Sequence, residues 1–188
     1  MSNLAVVFPG VGYHSDKPLL YYSKKILKNA EYEIREVVYD FGDILGFIKE
    51  DPEKTKEAIE MALKQVTEQL SDIDFSSYDR VLFVGKSIGT TIAAAFASAN
   101  GIDAEHLVFT PIPQTFEYLP NVEGFVFHGD ADPLCDTRFL VDICEALSLT
   151  YVVVPDANHS LETGNVAVDL KTMEKVMSIV EKWVSLSE

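Results

Sequence analysis

Basic residues are scarce in this chain. Lysine and arginine number 15 against 30 aspartates and glutamates, which leaves a formal net charge of -15. Such a surface repels phosphate backbones and anionic lipid, so neither nucleic acid nor membrane is expected as a partner. Cysteine is nearly absent, with only Cys135 and Cys144. Two are too few for a disulfide framework, and their spacing is not that of a zinc site. They are expected on one helix, one thiol partly exposed and the other in the core. Long apolar runs are missing too. No stretch approaches the roughly 20 residues that span a bilayer. The run from Leu4 to Phe8 stops at Pro9-Gly10 with no basic residue before it, unlike a secretory signal, so a cytoplasmic location is expected. There is no linker, repeat or low-complexity tract.

What remains is ordinary globular composition, 47% hydrophobic and 24% charged over 188 residues. That suits one domain spanning residues 1–188 with a sizeable core. Short apolar runs punctuate it: Ala5 to Phe8, Ile34 to Tyr39, Val81 to Val84, Leu107 to Phe109, Phe125 to Phe127 and Tyr151 to Val154. Most are apolar at nearly every position, as strands buried on both faces of a parallel sheet are. Helical patterns separate them. Asp16 is expected to cap the first, with Pro18 in its first turn and Leu19, Leu20, Ile26 and Leu27 facing inward. Asp51-Pro52 opens a second, carrying Ile59, Leu63, Val66 and Leu70. A third runs from Ser87 to the stop signal Asn100-Gly101, and a fourth covers about Asp136 to Leu147. The last is expected to bury a stripe of Val166, Leu170, Met173, Val176, Met177, Val180 and Val184. The alternation predicts a three-layer α/β/α sandwich around a mostly parallel, doubly wound sheet of about six strands. In such sheets the ligand site lies outside the carboxyl ends of the strands.

One turn stands out. Arg80 to Thr91 reads as strand, sharp turn and helix, and contains Gly85-Lys86-Ser87-Ile88-Gly89. A serine presented at a strand tip needs a strained turn in which strand and helix approach too closely for a Cβ at the flanking positions. The helix start aims its amides at the site, so the Ile88 N–H can donate to an oxyanion. Gly85-Lys86-Ser87 also matches the tail of a phosphate-binding loop. That motif needs glycine where Arg80 stands, and Val81 to Val84 form a strand instead of wrapping a phosphate.

A serine hydroxyl needs a base to become nucleophilic. Of four histidines, His159 follows the last strand on a loop that can reach Ser87. His106 precedes a strand and belongs to the opposite edge, and His128 ends a strand as a packed residue. His14 follows the first strand and precedes the serine in the chain. The base needs a carboxylate to orient it. Asp132 and Asp130 both follow the Phe125 to Phe127 strand, and Glu117 follows the one before; Asp132 is preferred. Each member of the set Ser87, Asp132 and His159 stands just after a strand.

With these residues in place, the chain resembles the α/β-hydrolase superfamily, in particular its compact dienelactone-hydrolase-like and esterase-like members. The resemblance covers essentially the whole chain. Gly85 to Gly89 matches the nucleophile elbow. His128-Gly129-Asp130-Ala131-Asp132 matches the family's HGxxD segment, whose last aspartate is the triad acid, which favours Asp132 over Asp130. Phe8-Pro9-Gly10-Val11-Gly12 resembles the oxyanion loop, which implies a second oxyanion amide from Val11 or Gly12. The resemblance implies a fold lacking the first two strands, and a segment after Phe109 too short for a cap. The site is then open, or covered only by Pro111 to Leu119 and the loop around Tyr13 and His14. The expected walls are Val11, Tyr13, Ile88, Ile112, Phe116 and Leu161, around a small-molecule substrate. The expected chemistry is acyl transfer to water with no metal and no organic cofactor. An acyltransferase, a carbon–carbon bond hydrolase or a non-catalytic binding protein on the same fold are the rival readings.

Overall fold

The apolar runs form six strands in a computed structural model that describes residues 2–44, 51–119 and 123–186. These are β1 (Asn3–Phe8), β2 (Tyr32–Glu36), β3 (Arg80–Lys86), β4 (Glu105–Phe109), β5 (Gly124–Gly129) and β6 (Thr150–Val154). They hydrogen-bond in the order β2-β1-β3-β4-β5-β6, and every pairing is parallel. Between them lie α1 (Pro18–Asn29), α2 (Pro52–Gln69), α3 (Ile88–Asn100), α4 (Thr137–Ala146) and α5 (Val166–Leu186).

The strands show why the sandwich has three layers. Successive side chains of a strand point to opposite faces. Leu4, Val6 and Phe8 of β1 pack with Val81 and Phe83 of β3 against α2 and α3. Ala5 and Val7 pack with Leu82 and Val84 against Leu19, Leu20 and Leu27 of α1 and Val176, Val180 and Val184 of α5. Leu140 and Cys144 of α4 join Ala94 of α3 over Val108 and Val126. Both faces of the central strands are therefore apolar, and a run such as Val81 to Val84 has no polar position. No helix among the described residues is long and apolar enough to cross a membrane.

Several local expectations are corrected. The Ile34 to Tyr39 run is strand only as far as Glu36, and Val38 is 68% exposed. β2 is an edge strand with one neighbour, and side-chain amides of α2 replace the missing ladder. The Gln69 amide brackets the backbone of Val38, and Gln65 does the same for Asp40. Asp16 does not cap α1. Lys17 holds the cap position without a side-chain bond, and Asp16 instead accepts a bond from the buried Lys24 ammonium at 3.2 Å. The α5 stripe is buried only in its later turns. Val166 and Leu170 are 73% and 68% exposed. Cys135 and Cys144 are both buried, and burial pushes both thiols up to about 12, which leaves them unreactive.

His106 lies at the start of β4, at the end of the sheet away from Ser87, as its place in the chain implies. It is 2% exposed, sits edge-on to Phe83, and its Nε2 has no hydrogen-bond partner among the described residues. Burial disfavours the imidazolium and pulls the pKa down from 6.5 to about 4. The unfolded chain therefore takes up this proton at a higher pH than the folded one. The neutral side chain's contribution is complete above pH 6.5 and is lost as pH falls towards 4, by about 3 kcal/mol at most. His106→Leu is expected to flatten the fall of the urea midpoint between pH 7 and about pH 4.5. An unchanged slope in the variant would refute this account of acid sensitivity.

Candidate active site

The site is assembled where β3 ends and α3 begins. Ser87 occupies that junction at φ 58° and ψ -129°, a conformation that costs a side-chain-bearing residue about 1–3 kcal/mol. Its surroundings hold it there. The Ser87 N–H donates to the Phe109 carbonyl at 3.0 Å, and its own carbonyl accepts from the Thr90 N–H and hydroxyl. The Thr90 hydroxyl also meets that of Thr115. The flanking glycines are required by contact. A Cβ on Gly85 would lie 2.7 Å from Thr90 Cα, and one on Gly89 would lie 2.2 Å from the Phe8 carbonyl oxygen. The strand-to-helix turn is thus pressed between its own first helical turn and the end of β1.

His159 reaches this serine from the loop between β6 and α5. Its Nε2 is 2.7 Å from Ser87 Oγ, and its Nδ1 is 2.7 Å from Asp132 Oδ2. The neutral ring that can take a proton from serine therefore carries its hydrogen on Nδ1, towards the carboxylate. The Asp132 side chain is fully buried, and that of His159 is 19% exposed. Burial opposes ionisation of Asp132. Hydrogen bonds from His159 and from the Leu134 amide outweigh it, and the carboxyl is held below its ordinary range.

Asp130 and Asp132 have divided their work. Asp130 Oδ1 accepts the Asp156 N–H at 2.6 Å and so ties the β5–α4 loop to the β6–α5 loop. Its backbone N–H donates to the Val154 carbonyl at 3.1 Å, and Ala131 donates to Ala157 at 3.0 Å. These bonds fix the separation across which Asp132 meets His159. Within the second loop, the Asn158 side chain accepts from the Ser160 and Glu162 amides, which sets the direction of His159.

The loop after β1 lies against Ser87. A Cβ on Gly10 would stand 2.9 Å from the Lys86 carbonyl oxygen and 3.1 Å from Ser87 Cβ. Gly10 and Tyr13 exchange backbone bonds, and the Tyr39 hydroxyl donates to the Pro9 carbonyl. Val11 borders the space in front of Ser87; Gly12, at φ 67°, is exposed on the next turn. The Ile88 amide opens α3, where no intrahelical acceptor is available to it.

A cavity of about 190 Å³ opens beside Ser87, lined by Val11, Thr55, Ile88, Ile112, Pro113, Gln114 and Leu134. Val11, Ile88 and Ile112 are thus placed where the sequence suggested. Tyr13, Phe116 and Leu161 are not on this wall. Tyr13 is held in the core by a bond from the Leu19 amide, and burial pushes its phenol up to about 12. Phe116 is 7% exposed among α4 side chains, and Leu161 is 2% exposed under α5. Thr55 and Leu134 were not foreseen, because no motif marks them; Pro113 and Gln114 fall within the Pro111 to Leu119 stretch expected over the site but were not named as walls. Glu117 lies on a separate cleft with Lys56 and Tyr118. A larger cleft of about 580 Å³, with the Arg80–Glu105 ion pair on its wall, lies at the opposite end of the strands and contains none of the three residues.

No family model and no curated protein matches the chain in sequence. Solved structures do match it in shape. The esterase Est1E from Butyrivibrio proteoclasticus superposes with a TM-score of 0.70 at 12% identity, over 97% of this chain and 86% of that one. An esterase from Pyrococcus furiosus gives 0.62 at 14%, over 97% and 83%. A serine hydrolase without a lid from Xanthomonas campestris gives 0.59 at 15%, over 98% and 81%. At such identities the likeness establishes the fold, which is that of the α/β hydrolases.

Proposed function

We propose that the protein is a serine hydrolase that cleaves an ester-like acyl bond of a small substrate through an acyl-enzyme intermediate. The observation that carries this reading is the unbroken chain of contacts Ser87–His159–Asp132, with both links at 2.7 Å and the serine on a strained turn. His159 Nε2 takes the Ser87 proton as Oγ attacks the substrate carbonyl. Asp132 stabilises the imidazolium and keeps the ring aligned. The Ile88 N–H, with that of Val11, donates to the developing oxyanion; such donors each contribute about 3–4 kcal/mol. His159 then gives the proton to the leaving alkoxide. A water, deprotonated by the same nitrogen, attacks the acyl-enzyme; the bond to Ser87 Oγ breaks, His159 returns the proton to that oxygen, and the acid is released.

The cavity indicates which acyl groups fit. Its walls are mostly apolar, and about 190 Å³ is small for a ligand site. Short, uncharged acyl chains suit it, whereas a long chain would have to lie across the surface. The net charge of -15 further disfavours anionic substrates.

A fluorophosphonate probe tests the reading directly. The wild-type protein is expected to gain one covalent adduct, mapped by peptide mass to Ser87, and Ser87→Ala is expected to gain none. Acetyl to hexanoyl p-nitrophenyl esters should turn over faster than the palmitoyl ester. Equal labelling of Ser87→Ala, or an unlabelled and inactive wild type, would leave a binding protein on a hydrolase scaffold. Transfer of the acyl group to an added alcohol in preference to water would mark an acyltransferase.

A further inference from the structure

Beneath Asp132 lies a second histidine that the mechanism above does not use. His128, near the end of β5, is wholly buried. Its Nε2 is 2.9 Å from the Thr137 hydroxyl, which belongs to the first residue of α4. Its Nδ1 has no hydrogen-bond partner among the described residues and stands 3.9 Å from Asp132 Oδ2, the same oxygen that receives His159. A buried imidazole nitrogen without a partner is uncommon and calls for a reason. At 3.9 Å the contact is no hydrogen bond, but in a buried setting the sign of the facing dipole matters.

The proton's position follows from two bonds. The Thr137 hydroxyl has one hydrogen and two acceptors within reach, His128 Nε2 at 2.9 Å and the Asp130 carbonyl at 3.5 Å. Donation to Asp130 would leave an Nε2–H bonded to the hydroxyl and turn the Nδ1 lone pair towards the Asp132 carboxylate 3.9 Å away, so the buried anion selects donation from Thr137 to Nε2. The ring hydrogen of neutral His128 must then sit on Nδ1, pointing at the carboxylate. The other tautomer would set a nitrogen lone pair against a buried anion. We infer that His128 is a positioning residue for the triad acid: Thr137 fixes its Nδ1–H tautomer, and that N–H dipole stabilises the Asp132 carboxylate at the same oxygen that receives His159. This rests on the Ser87–His159–Asp132 reading of the site.

The charged and titratable groups around His128 are Asp130 and Asp132 on the loop that follows its strand, Asp136 at the start of α4, and His159 from the β6–α5 loop. Cys135, also near Asp132, is held as the thiol. Burial outweighs the pull of the three carboxylates and keeps His128 neutral. A neutral dipole shares Asp132 with His159 without competing for its charge. Without that dipole, the potential at His159 becomes more negative and its imidazolium is favoured.

Two measurements decide the matter. The first needs only the wild-type protein with histidine imidazoles labelled with nitrogen-15. Two-bond proton–nitrogen spectra at neutral pH are expected to show His128 protonated on Nδ1; protonation on Nε2 overturns the inference. The second compares variants through the ring-proton titration of His159 and the acid limb of kcat/KM. His128→Leu is expected to move both upward by about half a pH unit or more. His128→Asn, whose amide N–H falls where Nδ1 lies, is expected to hold them near the wild-type position. A purely structural role would lower stability without moving the titration, and superposable profiles for all three proteins overturn the inference. Should His128→Leu fail to fold, Thr137→Val, which removes the donor to Nε2, is expected to shift the titration in the same direction. An inactive wild type with the Nδ1–H tautomer would sink the hydrolase reading and spare this one. An active enzyme with the Nε2–H tautomer would do the reverse.

Discussion

Alanine at position 159 is expected to lower kcat/KM for a short-chain p-nitrophenyl ester by about 10⁴-fold or more, because serine, base and acid act as a unit. The geometry explains the size of the effect. His159 Nε2 is the one base in contact with Ser87 Oγ among the described residues, and Asp132 reaches the serine only through that ring. With the ring gone, Ser87 keeps its strained backbone and its neighbouring amides. The residual rate therefore reports oxyanion stabilisation and binding alone. Stability should fall as well, by about 1–3 kcal/mol, since the buried Asp132 carboxylate loses one of its two hydrogen-bond donors. The sign of the pH dependence is fixed. The folded Asp132 carboxyl is held below its ordinary value of 3.8. Its contribution is present above that value and is lost as pH falls through the folded pKa. His159→Ala raises the folded pKa, so its deficit against wild type is largest near neutrality and shrinks in acid. Kinetics across pH, with thermal melts of both proteins, check each part. Activity within tenfold of wild type would remove His159 from the mechanism.

The second large effect is expected at a residue that touches no substrate. A Cβ on Gly129, the last residue of β5, would lie 2.2 Å from the Ala157 carbonyl oxygen and 2.7 Å from that of Asn158. All these atoms are backbone, so no side chain can swing aside. They belong to the loop that carries His159. Gly129→Ala must push that loop away from the Asp132 loop, against the bonds from Asp130 to Val154 and from Ala131 to Ala157. A cost of about 1–3 kcal/mol is typical of such overpacking. Because the displaced segment carries the base, kcat should fall by about 10²-fold or more for a shift near 1 Å. A thermal melt and a kcat measurement on the soluble variant test this. A stable variant with wild-type kcat would show that the two loops are not rigidly coupled. The equivalent substitution at Gly101, where no atom lies within 4 Å of the missing Cβ but φ is 61°, should cost stability without affecting kcat.

Much of this was legible in the sequence for a physical reason. A strand buried on both faces must be apolar at every position, so Val81 to Val84 announced a parallel sheet. A serine at a strand tip needs Gly85 and Gly89, because backbone passes within van der Waals distance on both sides. Asp132 and His159 follow their own strands, and a parallel sheet delivers all strand ends to one edge. The order of elements along the chain therefore sufficed to bring the three together. Choosing Asp132 over Asp130 depended on the family pattern, since either residue suits a turn.

The structure decided what depends on contacts between distant elements. β2 stopped at Glu36 because Gln65 and Gln69 of α2 took over the backbone beyond it. The apolar start of α5 stayed exposed at Val166 and Leu170, although their spacing matches the buried turns that follow. Tyr13, Phe116 and Leu161 went into the core instead of the pocket, and Thr55, Gln114 and Leu134 took their place around Ser87. The sequence by itself determined which three residues meet at the ends of the strands, because strand order and local turn geometry are encoded in short stretches of residues. Only the tertiary structure decided the pocket, because its walls are side chains brought together from several elements, and the contact of His128 with Asp132, because the spacing alone does not say which way the imidazole turns.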